Sequence, residues 1–102
     1  MRRMVVITGM GVVSVAGVGR DAFTAALLAG TPTLPAGPVA RIADFGARAV
    51  IDGKALRRMA RLSQMALVAG KQALAEARPT AAPERSGIVL GTGLGTIKET
   101  TE

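Results

Sequence analysis

A glycine-rich turn directly after a short apolar run constrains the fold of this chain more than any other feature. The run covers residues 4–7 and is followed by Thr8-Gly9-Met10-Gly11-Val12-Val13-Ser14. An apolar run of this length, rich in β-branched residues, is too short for a helix and favours a buried strand. Glycine permits a sharp backbone turn because it has no Cβ to clash. The segment therefore predicts a strand that ends in a tight turn.

The same pattern recurs near the end of the sequence. Residues 87–90 form a second apolar run, which leads into Gly91-Thr92-Gly93-Leu94-Gly95. Between the two candidate strands, residues 52–78 have helical periodicity, with Asp52 as the N-cap and Pro79 as the stop. Two strands separated by a helix are typical of an α/β fold, and the sequence predicts that class.

The long predicted helix carries an apolar stripe and a basic start. The stripe has three- and four-residue spacing and consists of Met59, Leu62, Ala66, Ala69, Ala73 and Ala77. Four cations fall in the first turns: Lys54, Arg57, Arg58 and Arg61. Cations at a helix N-terminus are unfavourable by about 0.3–1 kcal/mol each, because the macrodipole is positive there. The pattern has two equally weighted interpretations, an anion-binding patch and a solvated basic face.

Turn and cap residues assign the other segments. Residues 22–29 are predicted to form a short helix that Asp21 caps and Gly30 ends. Prolines and glycines between residues 31 and 50 forbid a continuous helix, so an extended connector with an edge strand near residues 47–51 is predicted. Residues 80–85 are predicted to be a loop.

A capping box marks the last segment of the sequence. Thr96 is followed three residues later by Glu99, which predicts a helix start. The sequence ends at Glu102, and isolated helices shorter than about 12 residues are marginal in water. We therefore expect residues 1–102 to be truncated relative to their fold.

Composition excludes several kinds of site. The chain has no cysteine and no histidine, which removes disulfides, most zinc sites, thiolate nucleophiles and the usual general base. Its seven carboxylates are scattered without a metal-like cluster. We therefore expect no catalytic residue and no metal site within the chain itself.

The glycine turns do not match a dinucleotide-binding fingerprint. Ser14 and Thr96 stand where that pattern requires glycine or alanine, and neither turn is followed by a second strand that ends in an acid about 20 residues on. Tight turns packed against neighbouring backbone explain the glycines better, so no cofactor is expected.

The formal net charge of +6 suits nucleic acid, an anionic surface or an acidic protein partner. Two aromatic residues offer little for base stacking, which disfavours nucleic acid. No apolar run approaches the roughly 18 residues of a membrane span. Gly9 and Gly11 interrupt the apolar run behind the basic N-terminus, so a cytoplasmic protein is expected rather than a secreted one.

Four segments in this order resemble the start of a β-ketoacyl-acyl carrier protein synthase of the fatty-acid elongating type. The segments are residues 5–14, 23–30, 57–67 and 87–95, and together they cover nearly the whole chain. The resemblance implies a partial thiolase-like α/β fold, with residues 1–102 as the opening portion of the N-terminal domain. It also implies a homodimer in the complete protein and an acyl carrier protein as partner.

The resemblance also implies roles for particular residues. Lys54, Arg57 and Arg58 match family positions at the basic surface that binds the acidic carrier protein. Leu94 matches an apolar residue that lines the acyl-chain pocket, and Gly93 and Gly95 give its loop backbone freedom. The cysteine nucleophile, the two histidines and the lysine of the family match nothing in this chain.

Three functions follow as hypotheses. The first is part of a condensing enzyme that joins malonyl-carrier protein to an acyl thioester with loss of carbon dioxide. The second is a noncatalytic partner subunit, similar to the chain-length factors of polyketide synthases. The third, from another class, is a small basic protein-binding module.

Overall fold

The fold combines a small β-ribbon with helices packed around one apolar cluster, in a computed structural model that describes residues 2–30 and 40–93. In these residues the elements are β1 (Val13–Ser14), β2 (Gly17–Val18), α1 (Arg20–Ala29), α2 (Ala47–Val50), α3 (Gly53–Arg58), α4 (Arg61–Ala77) and a 3-10 turn (Pro83–Arg85). The prediction of an α/β structure is confirmed at this level.

The hydrophobic core lies where α2, α3 and α4 meet β1. Phe45, Ile51 and Val68 are its buried residues. Partly buried apolar side chains surround them: Val13, Ile42, Ala47, Val50, Leu56, Met59 and Met65. Full burial of one such side chain contributes about 1.5–3 kcal/mol. This cluster therefore holds the short helices on α4, although it is small for a chain of 102 residues.

The β-ribbon directs the chain into α1. The two strands are antiparallel, with Val13 opposite Val18 and Ser14 opposite Gly17. The Ser14 hydroxyl donates a hydrogen bond to the Gly17 carbonyl oxygen at 3.0 Å and accepts one from the Gly17 amide at 3.2 Å. These bonds close the turn between the two strands. The chain then reaches Gly19, the residue directly before α1.

One prediction for α1 is confirmed and one is wrong. Gly30 ends the helix in the left-handed conformation, with φ 66°, as glycine does at low cost. Asp21 is not the N-cap, because the helix begins one residue earlier and follows Gly19. The carboxylate instead lies in the first turn, where negative charge is favourable.

The two predicted strands do not form in the described residues. Residues 4–7 and 87–90 have no regular secondary structure, and their apolar side chains are exposed, with Val5 at 92% and Val89 at full exposure. A strand is stable only with a hydrogen-bonded neighbour and an apolar cover. The part of the chain that the structure describes supplies neither to these segments.

The predicted edge strand at residues 47–51 is also wrong, because this segment forms helix α2. The Asp44 carboxylate accepts a hydrogen bond from the Gly46 amide at 2.9 Å, and Gly46 has φ 76°. This left-handed turn starts the helix. Burial of Phe45 before α2 and of Ile51 after it anchors both ends.

The predicted helix over residues 52–78 is two helices. Met59 and Ala60 have extended backbone between α3 and α4. The Gln64 side chain donates hydrogen bonds to the carbonyl oxygens of Leu56 and Met59 at 3.2 and 3.0 Å. The Leu56 carbonyl also accepts from the Met59 amide at 3.2 Å, so the Gln64 side chain adds a second donor there and supplies one to the Met59 carbonyl at the break. The predicted end is confirmed, since α4 stops just before Arg78 and Pro79.

Candidate functional site

The three cations predicted to bind a carrier protein all lie on α3. Lys54 is in its first turn, and Arg57 and Arg58 are in its last turn. All three side chains are exposed. Within the described residues, none of them lies within ion-pair distance of a carboxylate. The helix therefore presents three positive charges to solvent without an internal counter-charge from that part of the chain.

The break between α3 and α4 overturns the electrostatic argument for this patch. Arg57 and Arg58 occupy the C-terminal end of α3, where the helix dipole favours positive charge. Their position is thus not the energetic anomaly that a continuous helix over residues 52–78 implies. The patch must be judged by its exposure and its surroundings.

Two grooves border the patch and divide its residues. Lys54 and Arg58, one helical turn apart, line the first groove together with Asp52, Ala55 and Met59. Arg57 lines the second groove on another side of α3, together with Arg48, Ile51, Gly53 and Leu56. The patch therefore wraps around α3 and continues onto α2. Arg48 was missed at the sequence level because its segment was predicted to be a strand.

Arg61, the fourth cation of the predicted basic start, has a structural role. Its guanidinium donates hydrogen bonds to the carbonyl oxygens of Ile42 and Ala43. It also lies over the Phe45 ring, 4.9 Å from the centroid, within the range of a cation–π contact. Arg61 thus connects the segment before α2 to the start of α4. Its guanidinium is occupied by these contacts, whereas only the Nε of Arg57 donates a hydrogen bond in the described structure.

The first glycine turn packs directly on α4. A Cβ at Gly9 would lie 2.2 Å from the Ala73 carbonyl oxygen, and one at Gly11 would lie 1.8 Å from the Ala69 carbonyl oxygen. Both distances are far below van der Waals contact. The glycines are therefore required for close approach to a helix, which agrees with the packing explanation and not with a nucleotide site.

Polar side chains of α4 hold this turn in place. The Val12 amide donates to the Gln72 side-chain oxygen at 2.8 Å, and the Met10 amide donates to a Glu76 carboxylate oxygen at 3.3 Å. The other Glu76 oxygen accepts a hydrogen bond from the Arg20 guanidinium. The small alanines of α4 thus allow the turn to lie close to the helix. Gln72 and Glu76 of α4 accept hydrogen bonds from the backbone of the turn, and Glu76 also accepts one from Arg20 at the start of α1.

The predicted acyl-pocket loop falls mostly outside the described residues. Gly93 is the last described residue before the end of the sequence, and it is exposed. Apart from its chain neighbours, no atom of the described residues lies within 4 Å of where its Cβ would be. Leu94, Gly95 and the predicted helix start at Thr96 lie outside the described residues, so the pocket assignment stays a prediction.

Two further searches concern the described residues only. No group of three or more acidic side chains there is placed to hold a metal ion. None of the helices in that part combines the length and apolar character needed to cross a bilayer.

Two curated proteins are similar to this chain over most of its length. One is 3-oxoacyl-(acyl-carrier-protein) synthase I, chloroplastic, of Arabidopsis thaliana, which is 34% identical over 111 aligned positions. The other is the protein of the same name from Hordeum vulgare, 35% identical over 115 positions. Each alignment covers 92% of this chain and 24% of the relative. The chain thus spans about a quarter of the length of the relatives that it matches.

No protein-family model matches the chain, and no solved structure is similar to it. The relationship is therefore carried by the aligned sequences. They confirm the resemblance that the four segments indicated.

Proposed function

We propose, because the chain is similar in sequence to two 3-oxoacyl-acyl-carrier-protein synthases, that it forms part of a condensing enzyme. That complete enzyme joins malonyl-acyl carrier protein to an acyl thioester with loss of carbon dioxide, in fatty acid or polyketide synthesis. The observation that carries the proposal is the similarity over 92% of the chain to two proteins of that name. In this proposal the fold is the N-terminal part of a thiolase-like domain.

The chain's own contribution is binding and not chemistry. It contains no cysteine or histidine, so the nucleophile and the acid–base groups come from residues outside it. The exposed cations of α3 supply positive charge at the surface, and an acidic carrier protein supplies the complementary charge. Gly93, Leu94 and Gly95 are proposed to line the acyl pocket.

Charge reversal on α3 tests the proposal. In the complete enzyme, Arg57→Glu with Arg58→Glu should lower kcat/KM for carrier-bound substrate on the order of tenfold, because exposed ion pairs contribute about 0.2–1 kcal/mol each and act largely on association rate. Use of a small thioester mimic should be unchanged. Steady-state kinetics with both substrates at several salt concentrations is the measurement, and the two enzymes should converge near 1 M salt.

Arg57→Gln with Arg58→Gln is the matched control for helix stability. Glutamates at the end of α3 oppose the helix dipole and cost about 0.3–1 kcal/mol each, whereas glutamines do not. The neutral pair should show the same substrate selectivity with a smaller loss. An equal loss with both substrates, or no loss at low salt, would mean that the patch is a solvated helix face.

The sequence that follows position 102 in the complete reading frame separates the enzyme from the partner-subunit hypothesis. A cysteine with two downstream histidines is expected for the enzyme. A replaced cysteine would favour the noncatalytic subunit.

A further inference from the structure

The groove between α2 and α3 has the form of a recognition site for an acidic, partly apolar segment. Ile51 is buried and Leu56 is half-buried, so the groove has an apolar floor. Arg48 of α2 and Arg57 of α3 are both exposed and line the same groove. This lining has two arginines and no acidic residue, whereas the Lys54 groove is lined by Asp52 as well.

Arg48 and Arg57 are both open to a partner's carboxylates. In the part of the chain that the structure describes, neither lies within ion-pair distance of an acidic group. The Arg57 Nε donates to the Gly53 carbonyl oxygen at 3.3 Å, which leaves the two Nη groups of the guanidinium to bind elsewhere. A guanidinium presents its donors in a planar fork that matches a carboxylate.

Gly53 leaves the groove open at the start of α3. Apart from its own helix and chain neighbours, no atom of the described residues lies within 4 Å of where a Cβ of Gly53 would be. A partner side chain can therefore approach the backbone at this point. A large residue at position 53 would place its side chain at the groove that Gly53 lines.

We propose that Arg48 is a further residue for binding the carrier protein, and that Arg48 and Arg57 hold an acidic segment whose apolar side chain enters the groove that both arginines line. This inference rests on the proposed function and deepens it. Charge complementarity selects an acidic partner, and the Ile51–Leu56 floor selects one with an apolar residue between its acids. The carrier surface then extends across α2 as well as α3.

Arg48→Glu in the complete enzyme tests the electrostatic half of the inference. We expect kcat/KM for carrier-bound substrate to fall about fivefold at low salt, as for reversal of one exposed pair, with the small thioester mimic unaffected. Arg48→Lys keeps the charge and should retain most of the activity. Arg85→Glu is the matched control, because Arg85 is exposed on the 3-10 turn and lines neither groove.

Gly53→Leu tests the groove itself without changing charge. The leucine should lower the use of carrier-bound substrate at every salt concentration, whereas the effect of Arg48→Glu should disappear near 1 M salt. Gly53→Ala is the control for the backbone, since it adds only a methyl group. A melting curve of each variant confirms that the fold is retained.

The outcomes separate this inference from the proposed function. If the Arg57 and Arg58 reversal is selective for carrier-bound substrate but Arg48→Glu behaves like Arg85→Glu, the role of Arg48 is overturned and the proposed function stands. If Gly53→Leu has no effect while Arg48→Glu is selective, the apolar insertion is overturned. If the Arg57 and Arg58 reversal is itself unselective, the proposed carrier-binding role of α3 fails and this inference fails with it.

Discussion

Alanine at position 11 of the complete enzyme is expected to lower the free energy of unfolding by about 3 kcal/mol, at the upper end of the usual cost of overpacking. The reason is the contact between the first glycine turn and α4. A Cβ at this position would lie 1.8 Å from the Ala69 carbonyl oxygen and 2.7 Å from its carbonyl carbon. Both atoms belong to the backbone of a helix, so they cannot move aside as a flexible side chain does.

The strain at position 11 should spread to the hydrogen bonds beside it. Moving the turn away from α4 lengthens the 2.8 Å bond from the Val12 amide to Gln72. The 3.3 Å bond from the Met10 amide to Glu76 is on the same turn. Leaving a buried amide without a hydrogen-bond partner costs about 1–3 kcal/mol. Moving the turn away from α4 would relieve the clash but would weaken these bonds, so the protein cannot relieve the strain without a cost.

Gly70→Ala is the matched control, because it makes the same chemical change on α4 itself. Nothing lies within 4 Å of where its Cβ would be, and glycine in a helix interior is about 1 kcal/mol less favourable than alanine. This variant should therefore be as stable as the parent or more stable. Urea denaturation of the three proteins in parallel is the measurement. Equal stability of the Gly11→Ala protein and its parent would refute the close packing of the turn.

Features decided by local chemistry could be predicted from the sequence. Gly30 as the end of α1 and Arg78–Pro79 as the end of α4 follow from backbone preferences of single residues. The packing explanation for Gly9 and Gly11 also held, because small residues on both surfaces permit close approach. The family resemblance came from four segments, three of which contain glycines.

Features decided by side-chain contacts between elements, rather than by the backbone preference of a single residue, could not be predicted. The break after α3 depends on the Gln64 side chain, which caps carbonyl oxygens five and eight residues earlier, and no glycine or proline marks it. Val50 and Ile51 are β-branched residues that favour a strand. Here Val50 ends helix α2, and Ile51 follows it and is buried in the core. The break also changes the electrostatic interpretation of the basic patch. Arg57 was predicted near the start of a long helix, but the two-residue break places it at the end of α3.

The apolar surface of the described residues predicts that the 102-residue chain on its own associates and is poorly stable. Large apolar side chains that are more than half exposed include Met4, Val5, Val6, Ile7, Leu27, Leu28, Leu74, Ile88, Val89 and Leu90. Exposed apolar surface on this scale marks an interface or an aggregation site. Segments 4–7 and 87–90 also lack strand partners in the described structure, and unpaired strand segments promote association.

The isolated chain is therefore expected to show no condensing activity and no sharp cooperative melt. Activity should be absent because a chain without cysteine or histidine has neither the thiol nucleophile nor the imidazoles of the family. Calorimetry should give a broad transition, size-exclusion chromatography should give associated species, and a dye that binds apolar surface should fluoresce strongly. The complete enzyme is the control, since in the proposed assembly its remaining residues cover these segments. A sharp melt from a monodisperse monomer would instead support the small basic binding module, because such a protein must be stable without further residues to cover its apolar surface.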